Sequence, residues 1–204
     1  MSKYISMVVC LGMMSWLFGV DEGKIIPPPS APFVVIPVNN ISYTMEIGSA
    51  ADTAPASSPL AKSLRIKKIE VSQSGNIRRD QSLWSDGTQT EDWYVDEIYI
   101  YQDPRGWITS LNPKTMSSGT IQRRDASDYF KWLSLDNYKK IVLYEGKKAY
   151  QYSENDQTAW IDVTTLFPLA YQRGTETCVY RFKGPFPEEL VLPKKYKAEL
   201  DKIR

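Results

Sequence analysis

Acidic side chains are the residues of this chain that come nearest to a catalytic pattern. Glu91-Asp92 and Asp96-Glu97 are two adjacent carboxylate pairs, and paired carboxylates supply the acid and the base of glycoside hydrolysis. Neighbouring residues of a β-strand, however, point to opposite faces of the sheet. We therefore interpret both pairs as exposed or edge carboxylates and expect no catalytic residue among them.

The absence of histidine excludes most familiar catalytic sites. None of the 204 residues is His, so Ser-His-Asp and Cys-His machinery and His-ligated metals are excluded. The sequence also lacks a Walker loop, a Gly-x-Gly-x-x-Gly fingerprint, a Cys-x-x-Cys pair and a Gly-x-Ser-x-Gly elbow. We predict a protein that is not an enzyme, with no cofactor and no metal.

The charge balance argues against a nucleic-acid partner. Lys and Arg total 25 against 24 Asp and Glu, a net charge of +1, which creates no field that would attract a polyanion. Arg123-Arg124 and the cluster Lys194, Lys195 and Lys197 are local exceptions. They allow peripheral contact with anionic membrane lipids, or they are ordinary solvated charges.

The N-terminal segment is typical of an export signal. Lys3 precedes an uncharged run from Met7 to Val20, which is shorter than the roughly 20 residues that span a bilayer. We predict a signal peptide over residues 1–20, and hence a protein of the bacterial periplasm or cell envelope. Removing this segment takes away Cys10 and leaves Cys178, which we expect to be buried, as the single thiol.

Short, aromatic and β-branched segments separated by turn residues dominate the rest of the chain. The central segment, residues 84–111, reads as a three-stranded meander in which Val95 to Tyr101 form one strand. Asp103-Pro104-Arg105-Gly106 is its predicted reverse turn. The pattern predicts an α+β fold, mostly antiparallel β, in which a curved sheet or half-barrel of about nine strands carries one principal helix on its concave face.

Two segments have helical periodicity. Residues 126–135 place Ala126, Tyr129, Phe130 and Leu133 on one face, and this is the predicted principal helix. Residues 193–203 predict a short amphipathic helix at the C-terminus. The remaining organisation is a proline-rich lead-in, first strand and linker over residues 21–62, followed by a sheet domain over 63–204 that residues 33–47 are expected to join.

The segment from Ala159 to Tyr171 resembles a pattern of the lipoprotein-carrier superfamily of periplasmic half-barrels. In that pattern an apolar strand is followed by Asp, by Thr and then by Pro, and here these are Asp162, Thr165 and Pro168. Asp and Thr would close a turn, and Pro would restart an extended strand. The similarity extends over about residues 63–183.

The resemblance implies a sheet that curls around a helix and encloses an apolar cavity for acyl chains, without metal or cofactor. The residues expected to line this cavity are Tyr99, Tyr101, Trp107, Phe130 and Leu133. The expected partner is a lipid or a lipidated protein, and the sequence leaves the oligomeric state open. The alternative is a structural module, or one that contacts a protein or glycan, with a filled core and no ligand cavity.

Overall fold

The structure is a computed structural model that describes residues 31–37, 40–55, 57–59, 62–102, 107–111, 129–185 and 190–202. These ranges contain eleven β-strands, a short 3-10 helix (Ala50–Asp52) and one α-helix, α1 (Lys194–Leu200). The predicted signal peptide, the predicted turn at 103–106, Arg123-Arg124 and the start of the predicted principal helix lie outside the described residues.

All eleven strands belong to one open, curved, antiparallel sheet in the order β6-β5-β4-β3-β2-β1-β11-β10-β9-β8-β7. Each of its two halves is a meander, and the halves join where β1 pairs with β11. The strands are β1 (Ile41–Gly48), β2 (Ile66–Ser74), β3 (Ile77–Trp84), β4 (Gln89–Val95), β5 (Ile98–Gln102), β6 (Ile108–Leu111), β7 (Tyr138–Tyr144), β8 (Lys147–Glu154), β9 (Gln157–Asp162), β10 (Pro168–Arg173) and β11 (Glu176–Pro185).

The mostly antiparallel α+β class is confirmed, but the described residues form eleven strands and not about nine. One error lies in the predicted strand from Val95 to Tyr101, which the structure divides. Asp96 and Glu97 form a two-residue turn between β4 and β5, with Asp96 at a φ of 55°. Asp tolerates this left-handed conformation, and the Asn76 side-chain amide donates to its carboxylate at 2.8 Å.

The predicted principal helix over 126–135 is wrong in its described part. Tyr129 and Phe130 have 3-10 conformation, and turns without helix follow up to Asn137. The Asn137 side chain accepts a bond from the Ser134 backbone N–H at 3.0 Å and donates to the Trp132 carbonyl at 2.5 Å. Such side-chain bonds satisfy backbone groups that a helix would otherwise pair.

The larger core covers one face of seven strands, from β2 through β1 and β11 to β7. We call this surface the apolar face. The Tyr129–Leu133 segment and the Phe33–Ile36 segment lie over it. Its buried residues are Ile41, Tyr43, Met45, Val71, Tyr150, Tyr152, Ala159, Ile161, Tyr171, Cys178 and Tyr180 from the sheet, with Phe130 and Leu133 from the covering segment.

A second core lies on the opposite face of the remaining strands. Trp93 and Ile100 are cross-strand partners there, and they pack against Tyr196 and Leu200 of α1. The terminal helix is therefore present as predicted within residues 193–203. Since the two cores lie on opposite faces, the sheet is buried on one side along the seven strands from β2 to β7 and on the other side along β3–β6.

Candidate functional site

The five residues predicted to line a cavity do not come together. Phe130 and Leu133 belong to the core on the apolar face, with 2% and 8% of their surfaces exposed. Tyr99 and Tyr101 stack on each other at 5.3 Å and are only half-buried on β5. Trp107 precedes β6 with 72% of its surface exposed, so it is not a core residue.

A row of cross-strand partners shows how the surface changes between these two groups. Beginning on the apolar face, the row runs from Tyr43 to Val71, then to Asp80, Asp92 and Tyr101. The side chains of such a row share one face of the sheet. The apolar face is therefore bordered by charged residues on β3 and β4, and these charges separate it from the tyrosines of β5.

We call this border the polar patch; its residues are Arg78, Asp80, Asp92, Tyr94 and Tyr99. Arg78 and Asp80 form a two-pronged ion pair, with Nε to Oδ1 at 2.6 Å and Nη2 to Oδ2 at 2.7 Å. Both residues are at least 92% buried. Burial disfavours the charged form of Arg78, but the Asp80 carboxylate outweighs this and raises the pKa of Arg78.

Asp92 lies directly opposite Asp80 in the polar patch and has a different environment. The Tyr99 hydroxyl donates to its Oδ1 at 3.0 Å. Burial raises the pKa of Asp92 to about 6, the charges of Asp80 and Glu91 add to this effect, and the Tyr99 hydrogen bond opposes it. Asp92 therefore changes its charge in mildly acidic solution, whereas Asp80 is held by an arginine.

The carboxylate pairs that stand out in the sequence are not the pair that meets in space. Glu91 and Asp92 lie on opposite faces of β4, as strand geometry requires, and Asp96 and Glu97 lie in a turn. Asp80 and Asp92 share a face although they are twelve positions apart. The strand register places them together, and only a correct prediction of the hairpin joining β3 and β4 would reveal it.

Two buried tyrosine hydroxyls on the apolar face have no hydrogen-bond partner. They belong to Tyr152 and Tyr180, whose surfaces are 0% and 3% exposed. Burial raises the pKa of Tyr152 to about 12 and also raises that of Tyr180. The Tyr171 hydroxyl on the same face, in contrast, donates to the Gln157 side chain at 2.8 Å.

The turn that carries the family resemblance has the geometry expected from its residues. Asp162 Oδ1 accepts hydrogen bonds from the backbone N–H groups of Thr164 and Thr165 at 2.8 and 2.9 Å. The Thr165 hydroxyl accepts from the Phe167 N–H at 3.2 Å, and Pro168 begins β10. The segment therefore closes a loop and restarts a strand, which is a structural role.

In the described ranges, no three His, Cys, Asp or Glu side chains are grouped so that they could hold a metal ion. No helix in the same ranges is long and apolar enough to cross a membrane. No protein-family model and no curated protein sequence matches this chain.

Proposed function

We propose that the protein is an exported, non-enzymatic protein of the bacterial cell envelope that binds a hydrophobic or lipidated ligand on its apolar face. The ligand would lie between the sheet and the segments that cover it. This proposal combines the predicted signal peptide with the properties of that face, and it makes the covering segments the part that moves on binding.

The covering segments are suited to displacement because they are short and lack regular structure. Phe33 contacts the Tyr152 ring at 6.1 Å between centroids, and Phe130 contacts the Tyr180 ring at 5.7 Å. The Phe33–Ile36 segment contains no helix or strand. In the Tyr129–Leu133 segment only Tyr129 and Phe130 have 3-10 conformation. Side chains on such segments can move away at a smaller cost than a strand of the sheet.

The observation that carries the proposal is the pair of unpaired hydroxyls beneath these phenylalanines. Burying a hydroxyl without a partner costs about 1–3 kcal/mol. A ligand with an apolar chain and a carbonyl group, such as an ester or amide of a fatty acid, would fill the space left by the phenylalanines. Its carbonyl oxygen would accept the hydrogen bond that Tyr152 or Tyr180 lacks.

A second candidate is an interaction module whose apolar face stays closed. The packing of Phe130 and Leu133 onto the sheet favours it, because both are almost fully buried. In that case the unpaired hydroxyls are a permanent cost of the fold, and any partner binds elsewhere on the molecule. The two candidates differ in whether removal of a hydroxyl alters ligand binding.

The test is a fluorescence titration with the methyl ester of cis-parinaric acid, a fatty-acid probe whose emission rises in apolar surroundings. We expect the unmodified protein to bind it, and Tyr152→Phe or Tyr180→Phe to weaken binding by about 5- to 10-fold, equivalent to roughly 1 kcal/mol. Folding stability should stay equal or rise in these variants, because each loses an unpaired polar group.

Tyr171→Phe is the matched control, because it removes a hydroxyl that already has a partner in Gln157. It should bind the probe as the unmodified protein does and lose about 1 kcal/mol of stability. The proposal is wrong if the unmodified protein does not bind the probe, or if Tyr152→Phe and Tyr180→Phe both bind it with unchanged affinity.

A further inference from the structure

Three tyrosines lie side by side on the face of the sheet that carries the polar patch. Tyr94 and Tyr99 are cross-strand partners whose ring centres are 5.1 Å apart. Tyr99 also stacks on Tyr101 at 5.3 Å, with 17° between the two ring planes. All three residues are only half-buried, so part of each remains accessible. We call Tyr94, Tyr99 and Tyr101 the tyrosine platform.

Asp92 lies beside this platform and lacks a cationic partner. It is the cross-strand partner of Tyr101, which places their Cβ atoms about 5 Å apart, and its Oδ1 accepts the Tyr99 hydroxyl. Among the described residues, no Lys or Arg nitrogen lies within 4.0 Å of Asp92, and none donates to its Oδ2. One oxygen of a partly buried carboxylate is therefore left for a group from outside the chain.

The surroundings of Asp92 have an excess of negative charge. On β3, Arg78 and Asp80 pair with each other, so they leave no positive charge for Asp92. Glu91, on the other side of β4, adds a further negative charge, while β5 contributes tyrosine side chains. Asp80 and Glu91 both raise the pKa of Asp92, and no positive group lowers it. A bound cation would compensate this charge.

The combination of a carboxylate with aromatic rings favours one kind of cation. Ring faces attract cations through their quadrupole, and methylated ammonium groups are bound by proteins in this way. A hard metal ion such as Ca²⁺ needs about six to eight oxygen ligands, whereas Asp92 offers one free oxygen and Asp80 is held by Arg78. The methyl groups of an organic cation would, in contrast, pack on the platform.

We propose that Asp92 and the tyrosine platform bind an organic cation that carries a methylated ammonium group. The positive charge lies against Asp92, and the methyl groups contact the rings of Tyr99 and Tyr101. Binding gives a use to a carboxylate whose unpaired charge is costly to the fold. The site contains neither Tyr152 nor Tyr180, so it stands or falls separately from the function proposed above.

The test is an NMR titration of the ¹⁵N-labelled whole chain with choline chloride, at an ionic strength held constant with potassium chloride. We expect saturable binding of choline and no binding of 3,3-dimethyl-1-butanol, which has the shape of choline without its charge. Because the cation competes with the proton on Asp92, whose pKa is about 6, the affinity for choline should fall about 10-fold from pH 8 to pH 5.

Asp92→Asn keeps an acceptor for Tyr99 and should bind choline at least about 10-fold more weakly at pH 8, without the pH dependence. Tyr101→Leu should weaken binding by about 3- to 5-fold, the effect of one contact between a ring and a cation. Glu91→Gln is the matched control, because it removes the neighbouring carboxylate on the opposite face of β4. It should bind choline within about 2-fold of the unmodified protein.

Co-sedimentation with phosphatidylcholine vesicles, compared with phosphatidylglycerol vesicles, distinguishes two sources of the same cation. Sedimentation with phosphatidylcholine alone would assign a lipid head group to the site, and sedimentation with neither would assign a free small molecule. The proposal is overturned if choline gives no saturable shift up to about 50 mM, if the neutral alcohol binds as tightly as choline, or if Asp92→Asn binds choline with unchanged affinity.

Discussion

Asp80 and Asp92 lie opposite each other on β3 and β4, and only Asp80 has an arginine. Like charges directly across a strand pair are destabilising, and burial adds to the cost of charging Asp92. In the folded chain the pKa of Asp92 is about 6, against an ordinary value of 3.8. The folded state therefore binds a proton that the unfolded chain releases between those two pH values.

This difference predicts that Asp92 makes the protein less stable as the pH rises. The stabilisation from protonated Asp92 is fully present below about pH 4 and is lost as the pH rises through about 6. Asp92→Asn keeps an acceptor for Tyr99 without the charge. It should raise the free energy of unfolding by about 1–3 kcal/mol at neutral pH and change it little at about pH 4.

Urea unfolding of both proteins over this pH range measures the effect. Glu154→Gln, at an exposed position at the end of β8, serves as the control and should stay within about 0.5 kcal/mol of the unmodified protein. A difference between Asp92→Asn and the unmodified protein that does not vary with pH would contradict the account of Asp92.

Individual residues were predictable from the sequence where local chemistry decides their role. Asp162, Thr165 and Pro168 form the turn expected of them, and Cys178 is buried as expected. The carboxylates at positions 80 and 92 were not identified, because their meeting depends on the strand register. Trp107 was expected to line the cavity, but it is 72% exposed, because an aromatic residue type does not determine whether the end of a strand faces solvent.

Among the elements, α1 has the largest role for its length. Only seven residues long, it is too short to be stable in isolation, so its stability comes from packing on the sheet. Tyr196 is 1% exposed and lies 5.8 Å from the Trp93 ring, and Leu200 packs in the same core. The helix is therefore an integral part of the core formed by β3–β6.

Tyr196→Ala should thus destabilise the protein by about 3–5 kcal/mol, the range for removing a buried aromatic side chain. Chemical denaturation followed by tryptophan fluorescence suits this measurement, because Trp93 lies next to the substituted position. Lys197→Ala, at an exposed position of the same helix, should change stability by less than about 0.5 kcal/mol. A loss below about 1 kcal/mol for Tyr196→Ala would mean that α1 does not contribute to this core.

Among the elements, the hairpins could be predicted from the sequence, whereas the described part of residues 126–135 could not. Most of the hairpins follow from period-two patterns and turn residues, and Glu145 and Gly146, both at positive φ, form the turn between β7 and β8. The helix predicted over 126–135 had suitable apolar spacing, but Asn137 bonds locally to the backbone of Trp132 and Ser134. Apolar spacing alone does not reveal this competition.

At the scale of the whole molecule, the sheet changes the side that it buries. The seven strands from β2 through β1 and β11 to β7 form the apolar face. The other four strands, β3–β6, bury their opposite face beneath α1. A sequence pattern shows which residues of a strand share a side, but it does not show which side of the sheet is buried in each part of a long sheet. The five expected cavity residues are also divided on one face. Phe130 and Leu133 belong to the apolar face, Tyr99 and Tyr101 lie beyond the charged residues of β3 and β4 on that same face, and Trp107 is exposed next to β6.

This arrangement gives the molecule two surfaces that are chemically distinct. The apolar face has unpaired hydroxyls beneath short covering segments, and the opposite face carries charged and amide side chains beside α1. The proposed hydrophobic ligand belongs to the first of these surfaces, so its binding should not depend on residues of the second.

Native mass spectrometry of residues 21–204, purified without detergent from a bacterial periplasm, tests the central claim most directly. The account predicts a bound species that organic extraction releases and identifies as a lipid or an acylated peptide. It also predicts that the stripped protein takes up an acyl-chain probe. A protein that carries nothing and takes up no such probe would contradict the account, and the closed interaction module would then be the better description.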